Sequence, residues 1–149
     1  MKAVIQRVTR ASVTVDGNIT GEIGLGYLVL LGVEGSDNES IADKMAAKIS
    51  KLRIFEDENG KTNLSIFDVG GKMLVVSQFT LLADCSHGNR PSFIGAGSPA
   101  EASRLYDCFC DKGAELGVEV QRGIFGADMK VELLNDGPFT ICLDSAILK

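Results

Sequence analysis

The stretch "KMLVVSQFTLL", residues 72–82, is the most strand-like part of the sequence. Large apolar and β-branched residues fill its first half, which is typical of a β-strand. Gly70-Gly71 gives a turn immediately before it, and the segment 83–97 after it is too rich in Gly, Pro and polar residues to be regular. We therefore predict a strand over 72–82 that runs into a long loop.

Segments farther out carry strand signals as well. A turn at Asp16-Gly17-Asn18 indicates that the first part of the chain forms β-hairpins. The continuous apolar run at 27–33 predicts a buried central strand. The other predicted strands are "KAVIQRV" (2–8), "ASVTVDG" (11–17), "VEVQRG" (118–123), "MKVELL" (129–134) and "FTICLDS" (139–145). Between the last two, "NDGPFT" (135–140) has the composition of a hairpin turn, and its Gly-Pro pair should lie at a strand end, edge or bulge.

Two segments carry helix signals. Ser36 and Glu39 have the spacing of a capping box, and apolar residues then recur at helical intervals, so a helix is predicted over about 38–52. Ser98-Pro99 supplies an N-cap and a proline at the first helical position, and Gly117 a stop. Strand runs interrupted by two helices predict one α+β domain over 1–149, with a mostly antiparallel sheet.

The charge of the chain limits its partners. A net charge of −5 and a pI near 4.9 exclude a protein that coats nucleic acid, so DNA is not an expected partner, although recognition of one RNA end remains open. Lys44, Lys48 and Lys51 fall on neighbouring turns of the first helix. A solvated helix face is the favoured interpretation of this stripe.

The chain shows no membrane or export signal. Lys2 and Arg7 interrupt the N-terminus before a signal-peptide core can develop, and no apolar run reaches membrane-spanning length. The four cysteines are neither spaced as a zinc ribbon nor dense enough for a disulfide scaffold. We expect a cytoplasmic protein with reduced thiols.

Motifs for common cofactors are missing. There is neither a phosphate-binding loop nor a dinucleotide fingerprint, and the only histidine, His87, has no suitably spaced metal-ligand partners. We expect no cofactor and no metal. Cys85 with His87 could form a nucleophile and base, although an exposed loop histidine is the favoured interpretation.

The polar run Ser77-Gln78-Phe79-Thr80 is the best candidate for a site, because it lies in or just after the strongest strand and precedes a long loop. Gln78 can donate and accept hydrogen bonds, and backbone N–H groups around Phe79 and Thr80 could stabilise an oxyanion. The residues also allow a plain structural role, with Thr80 on a polar strand face and Phe79 in the core.

Several segments together resemble one known family. "SQFTL" at 77–81, "RPSF" at 90–93 and "NDGPFT" at 135–140 match, in order and spacing, the signature segments of the D-aminoacyl-tRNA deacylase family, and "MKAVIQRV" resembles its opening strand. The resemblance covers essentially the whole chain. Phe139 and His87 differ from the family pattern, the first where a smaller β-branched residue is commoner and the second where a basic residue is usual.

The resemblance implies a barrel-like core, a two-fold homodimer and a tRNA substrate. It implies that the Gly137-Pro138 peptide is cis and reaches into the partner's site as a chiral gate, and that Ser77, Gln78, Phe79 and Thr80 hold the scissile ester. It also implies substrate contacts for Met129 and Arg7. Arg7 would brace the partner's Gly-Pro loop, whereas the sequence alone equally allows a surface charge on an edge strand.

The resemblance further implies hydrolysis of D-aminoacyl-tRNA, assisted by the 2′-hydroxyl of the terminal adenosine. An aminoacyl ester is labile, so the enzyme needs to position water and stabilise an oxyanion rather than supply a strong nucleophile. Thr80 as a covalent nucleophile is a less favoured alternative, since no general base is evident. A gate that rejects L side chains by crowding would also admit glycyl-tRNA.

Two other functional classes remain open from the residues. One is a different small hydrolase that uses Cys85 or Thr80 on an ester without RNA. The other is a dimeric binding module in which the Gly-Pro segment acts only as an interface latch.

Overall fold

The first strand, β1 (Lys2–Val15), organises the fold by pairing with three other strands. The computed structural model describes all residues from Met1 to Lys149. On one side of β1, its first half pairs with β3 (Gly26–Gly32) and its second half with β2 (Asn18–Ile23). On the other side, β1 pairs along almost its whole length with β8 (Lys130–Asp144). The two predicted strands at 2–8 and 11–17 are therefore one continuous strand.

The remaining elements complete a mixed sheet and a helical layer. They are α1 (Glu39–Ser50), β4 (Phe55–Glu56), β5 (Thr62–Leu64), β6 (Lys72–Ser77), α2 (Pro99–Glu115) and β7 (Glu119–Arg122), with 3-10 helices at Phe79–Leu82 and Ser145–Ile147. Strands β4 and β5 form a separate small hairpin.

The main sheet nearly closes into a barrel. Its strand order is β2-β1-β3-β6-β7, with β8 on the free side of β1. The β3–β6 and β6–β7 pairs are parallel, and the other pairs are antiparallel. Because β2 also lies against β6 and β7, the sheet curls round on itself. The α+β class, the two helices and the barrel-like core are as predicted. The sheet is mostly antiparallel, as expected, but no sequence signal indicated the two parallel pairs.

The helices pack on one face of this sheet. Both bury their apolar stripes in the larger core cluster, with side chains such as Met45, Ile49, Leu105 and Phe109. A smaller cluster on the opposite face includes Val8, Leu28, Leu74 and Val76. Strands β3 and β6 contribute to both clusters, which explains their continuous apolar sequence. The predicted buried central strand at 27–33 is confirmed.

Three local predictions need correction. Strand β6 ends at Ser77, and the chain then turns into a 3-10 helix, so the predicted strand over 72–82 is five residues too long. The N-cap of α1 is Asn38, whose side chain accepts a hydrogen bond from the Ile41 N–H, and not Ser36. The segment 135–140 is not a hairpin turn, because it lies within β8.

In that last segment the chain bulges out of the sheet instead of reversing. Val8 pairs with Asn135 and Gln6 with Thr140, so β8 advances by five residues while β1 advances by two. The extra residues project as a loop from an edge strand, where an unpaired proline is tolerated. The expectation that the Gly-Pro pair lies at an edge or bulge is thus confirmed.

A buried ionic cluster ties both ends of the chain to the start of α1. The α-amino group of Met1 donates to Glu34 Oε2 at 2.9 Å, to Asp37 Oδ1 at 2.7 Å and to Ser145 Oγ at 2.8 Å. Asp37 immediately precedes the N-cap of α1, and Glu34 forms an isolated β-bridge with Ala96. We call these four residues, Met1, Glu34, Asp37 and Ser145, the N-terminal cluster.

Every helix is too short or too polar to cross a lipid bilayer.

Candidate active site

The segment that follows β6 exposes polar backbone at the edge of the sheet. The Gln78 N–H donates to Leu31 O at 2.8 Å, which holds this residue against the end of β3. The chain then enters the 3-10 helix Phe79–Leu82, and no side chain caps its first N–H groups. Ser77 and Gln78 are half-buried, whereas Phe79 and Thr80 are exposed. The predicted site segment thus spans the last residue of β6 and the start of the 3-10 helix, and its role as a site stays a prediction.

A cavity of about 740 Å³ opens beside this segment. Ser77, Gln78 and Phe79 form one wall, the start of α2 forms another, and residues 125–129 close a third. Phe79 and Phe93 meet edge to face with their ring centroids 5.0 Å apart. The cavity is thus mainly apolar and carries a few polar groups at the sheet edge, as small-molecule sites usually do.

Met129, for which the family resemblance implied a substrate contact, lines the same cavity. It also packs against Gly123, because a Cβ at that glycine would come within 2.6 Å of the Met129 sulfur. Phe93 and Phe125 line the cavity too, and sequence reasoning assigned neither of them an individual role. Phe93 belongs to the quoted "RPSF" segment, whereas no motif pointed to Phe125.

The Thr80 hydroxyl has no base beside it. Its hydrogen-bond partner is the side-chain amide of Gln78, and Thr80 does not line the cavity. Asp128 is the only ionisable side chain in the cavity wall, and it is exposed and paired with Lys130 at 3.2 Å. An amide cannot remove a hydroxyl proton, so this arrangement favours positioning over nucleophilic catalysis by Thr80.

The Cys85 and His87 pair does not form a catalytic apparatus. Both residues are exposed and absent from the cavity wall, and His87 Nδ1 contacts Ser86 Oγ at 2.8 Å rather than Cys85. All four cysteines are unpaired, as predicted. Burial raises the pKa of the Cys110 thiol to about 12, so that group stays protonated in the core.

The Gly137–Pro138 peptide bond is cis, as the family resemblance implied. Both residues are exposed, while the base of their loop is held tightly. Asn135 Nδ2 donates to Arg7 O and to Phe139 O, each at 2.9 Å, and Asn135 Oδ1 accepts from the Phe139 N–H at 3.1 Å. Sequence reasoning had credited Asn135 only with turn propensity, but its amide closes the loop.

Arg7 braces the same loop from below. Its Nε donates to Asp136 O at 2.8 Å, and a terminal nitrogen donates to Ile54 O at 2.7 Å. The guanidinium carbon of Arg7 lies 4.6 Å from the centre of the Phe139 ring, a cation–π contact. Phe139, which differs from the family pattern, thus packs against Arg7. Arg7 is only 6% exposed and lies on a strand paired on both sides. The interpretation as a surface charge on an edge strand is wrong. Within the chain Arg7 contacts its own loop, and the contact with a partner's loop stays a prediction.

The structure therefore gathers the candidate residues into two groups. Ser77, Gln78, Phe79 and Met129 share the large cavity. Arg7 and Asp136 border a separate cavity of about 220 Å³, and Gly137 and Pro138 line neither cavity.

Comparison with known proteins identifies the family. A model of the family described as D-Tyr-tRNA(Tyr) deacylase matches residues 4–144. The D-aminoacyl-tRNA deacylase of Ruegeria pomeroyi is 58% identical over 144 residues, which cover 97% of this chain and 99% of that protein. The D-aminoacyl-tRNA deacylase of Shewanella amazonensis is 60% identical over 143 residues, 96% of this chain and 99% of that protein.

Solved structures agree with this match. A protein named c-Myc DNA unwinding element binding protein superposes with a TM-score of 0.91 at 44% identity, covering 97% of this chain and 98% of that one. A probable eukaryotic D-amino acid tRNA deacylase shares the fold, with a TM-score of 0.82 at 15% identity, covering 95% of this chain and 97% of that one. The whole-length sequence matches show that the chain belongs to the D-Tyr-tRNA(Tyr) deacylase family.

Proposed function

We propose that this protein hydrolyses the ester bond of D-aminoacyl-tRNA in the cytoplasm and releases the free D-amino acid and tRNA. The observation that carries the proposal is the family match over residues 4–144, which includes both the Ser77–Thr80 segment and the Gly137–Pro138 loop. The cavity beside Ser77 supports it, because about 740 Å³ accommodates an aminoacyl group and part of a nucleoside.

The proposed chemistry relies on placement. The ester carbonyl lies against the 3-10 helix, where the N–H groups of Phe79 and Thr80 stabilise the developing oxyanion. Ser77 and Gln78 orient the substrate, Met129 packs against it, and the terminal 2′-hydroxyl of the tRNA assists the attack of water. The reaction breaks the ester C–O bond, and water supplies the hydroxyl of the amino acid and the proton of the ribose. This chemistry uses neither a cofactor nor a metal.

The proposed stereoselection requires a homodimer. Gly137 and Pro138 are exposed on a rigidly held loop that does not line the cavity of its own chain. A loop of this kind can act only on a second chain, where its backbone crowds the position that an L side chain would take. A D side chain points away from it, so D substrates of many kinds are accepted. Glycine has no side chain to reject, and glycyl-tRNA is a second substrate.

The decisive experiment compares D-tyrosyl-tRNA, L-tyrosyl-tRNA and glycyl-tRNA with the purified protein and no added metal. We expect rapid release of D-tyrosine and glycine, while L-tyrosyl-tRNA decays at the rate of the buffer control. Cleavage of both tyrosyl esters would contradict the proposed chiral gate but would still support the proposed ester hydrolysis. If all three esters survive, the proposed function is wrong.

Thr80→Val tests the role of the hydroxyl. This substitution keeps the β-branched shape and removes only the partner of Gln78, so we expect kcat on D-tyrosyl-tRNA to fall by less than about tenfold, the scale of one neutral hydrogen bond. Cys85→Ser serves as a matched loop control and should retain wild-type kcat. A loss of about a thousandfold or more for Thr80→Val would instead identify Thr80 as a nucleophile, and such a loss for Cys85→Ser would support the other type of hydrolase.

A further inference from the structure

A groove with a strongly basic lining lies between helix α1 and the last residues of the chain. Its volume is about 710 Å³. Five cationic side chains border it, and no Asp or Glu side chain does: Lys44, Lys48, Lys51, Arg53 and Lys149. We call this feature the basic groove. The sequence had favoured a solvated helix face for Lys44, Lys48 and Lys51, but the fold adds Arg53 and Lys149 to them.

The cationic side chains of the basic groove form no ion pairs within the chain, and Asp68 interacts with Arg53 only at longer range. All five side chains are exposed, and none forms a salt bridge. Arg53 donates only to the backbone and side-chain oxygens of Asn63. On helix α2 and strand β7, by contrast, Arg104 and Arg122 each contact two carboxylates. A concentrated positive surface on a chain of net charge −5 indicates an anionic partner.

Both walls of the basic groove start beside the proposed catalytic cavity. The N-terminal cluster joins Asp37, at the beginning of α1, to Ser145, at the beginning of the C-terminal 3-10 helix. Glu34 of this cluster bridges to Ala96, which lines the cavity. The helix and the C-terminal segment that border the basic groove thus both begin near the proposed catalytic cavity.

We propose that the basic groove binds the phosphate backbone of the tRNA near its aminoacylated end, an inference that rests on the proposed function. Lys44, Lys48 and the C-cap residue Lys51 follow one another at steps of about 4.5–6 Å along the helix axis. Such a row of point charges suits a chain of separate phosphates, and it supplies affinity without reading base sequence. The overall acidic charge then confines RNA binding to this one surface.

The test uses the variant K44Q/K48Q/K51Q in the otherwise unchanged full chain. With D-tyrosyl-tRNA we expect KM to rise about tenfold and kcat to stay within twofold of wild type. With the D-tyrosyl ester of adenosine, which lacks the RNA stem, both constants should stay within twofold. The slope of log(kcat/KM) against log[salt] should become shallower by about 2, since each neutralised phosphate contributes about 0.7 to 0.9.

A matched control, K61Q/K72Q/K112Q, removes the same charge outside the basic groove. It should behave as wild type, and a control that raises KM equally would show that only net charge matters and would overturn the proposal. An unchanged KM for tRNA in the groove variant, or an equal rise for the adenosine ester, would overturn it too. If the wild type cleaves neither ester, the proposed function fails by itself. In that case the Kd of uncharged tRNA is compared between the groove variant and the wild type. We expect the variant's Kd to be about tenfold higher, and an unchanged Kd would overturn the proposed role of the basic groove.

Discussion

Gly137→Ala is expected to lower kcat/KM for D-tyrosyl-tRNA by about 100-fold, because the loop cannot keep its shape with a side chain at this position. A Cβ on Gly137 would lie 2.1 Å from the Phe139 N and 2.9 Å from the Phe139 Cβ. Atoms cannot approach this closely, so the loop must shift. A shift of this size exceeds the positional tolerance of a group that contributes to catalysis. Because Gly137 is exposed, the free energy of unfolding should change by about 1 kcal/mol or less.

The measurement combines single-turnover deacylation with urea unfolding and sedimentation. Gly35→Ala is the matched control, since a Cβ there meets no atom within 4 Å, and it should retain wild-type turnover. If the Gly137 variant dissociates to monomers and no form of the protein has deacylase activity, the binding-module interpretation gains support. If Gly137→Ala instead retains wild-type turnover and full selectivity for the D substrate, the Gly137–Pro138 loop has no part in the proposed site.

Arg7→Met should lower the free energy of unfolding by about 2–4 kcal/mol, because it leaves buried carbonyl acceptors without donors. Methionine preserves much of the aliphatic volume of the side chain. It cannot donate to Asp136 O or Ile54 O, and the contact with the Phe139 ring loses its charge. Since the same contacts hold the base of the Gly137–Pro138 loop, kcat/KM should also fall by about tenfold or more even where the variant is fully folded.

Arg10→Met provides the control for this second variant. Arg10 lies on the same strand, is exposed and forms no salt bridge, so its replacement should change stability by about 0.5 kcal/mol or less. Chemical unfolding at a fixed temperature gives both free energies. Equal stability of Arg7→Met and wild type would show that the hydrogen bonds of Arg7 contribute no net stability.

Local sequence signals predicted the helices and the buried strands well, since those signals act over a few residues. Pro99 and Gly117 bracket α2 almost to the residue. The apolar run at 27–33 indicated a central strand because such a strand is covered on both faces. At Ser77 the local signal failed, since Phe79, Leu81 and Leu82 have strand-like composition but form a 3-10 helix.

Features that depend on distant contacts were not accessible in this way. The composition of 135–140 indicates a turn, yet strand β1 pairs on both sides of that segment and converts it into a bulge. Arg7 could not be recognised as buried, because its acceptors Asp136 and Ile54 are far away in sequence. Family resemblance, rather than any residue pattern, indicated the cis peptide, whereas the polar run at the end of a strand pointed to the Ser77–Thr80 segment without it.

The three-way pairing of β1 also determines when the protein can fold. Lys2 pairs with Asp144 and Thr14 with Lys130. Strand β1, which is synthesised early, therefore cannot complete its pairing until β8 has been synthesised. At ribosomal rates, synthesis of the intervening residues takes on the order of ten seconds. During that interval β1 presents an unpaired edge to other nascent chains, which is a hazard for aggregation. The barrel is therefore completed only after β8 has been synthesised, and its folding rate is set by long-range strand closure rather than by helix formation.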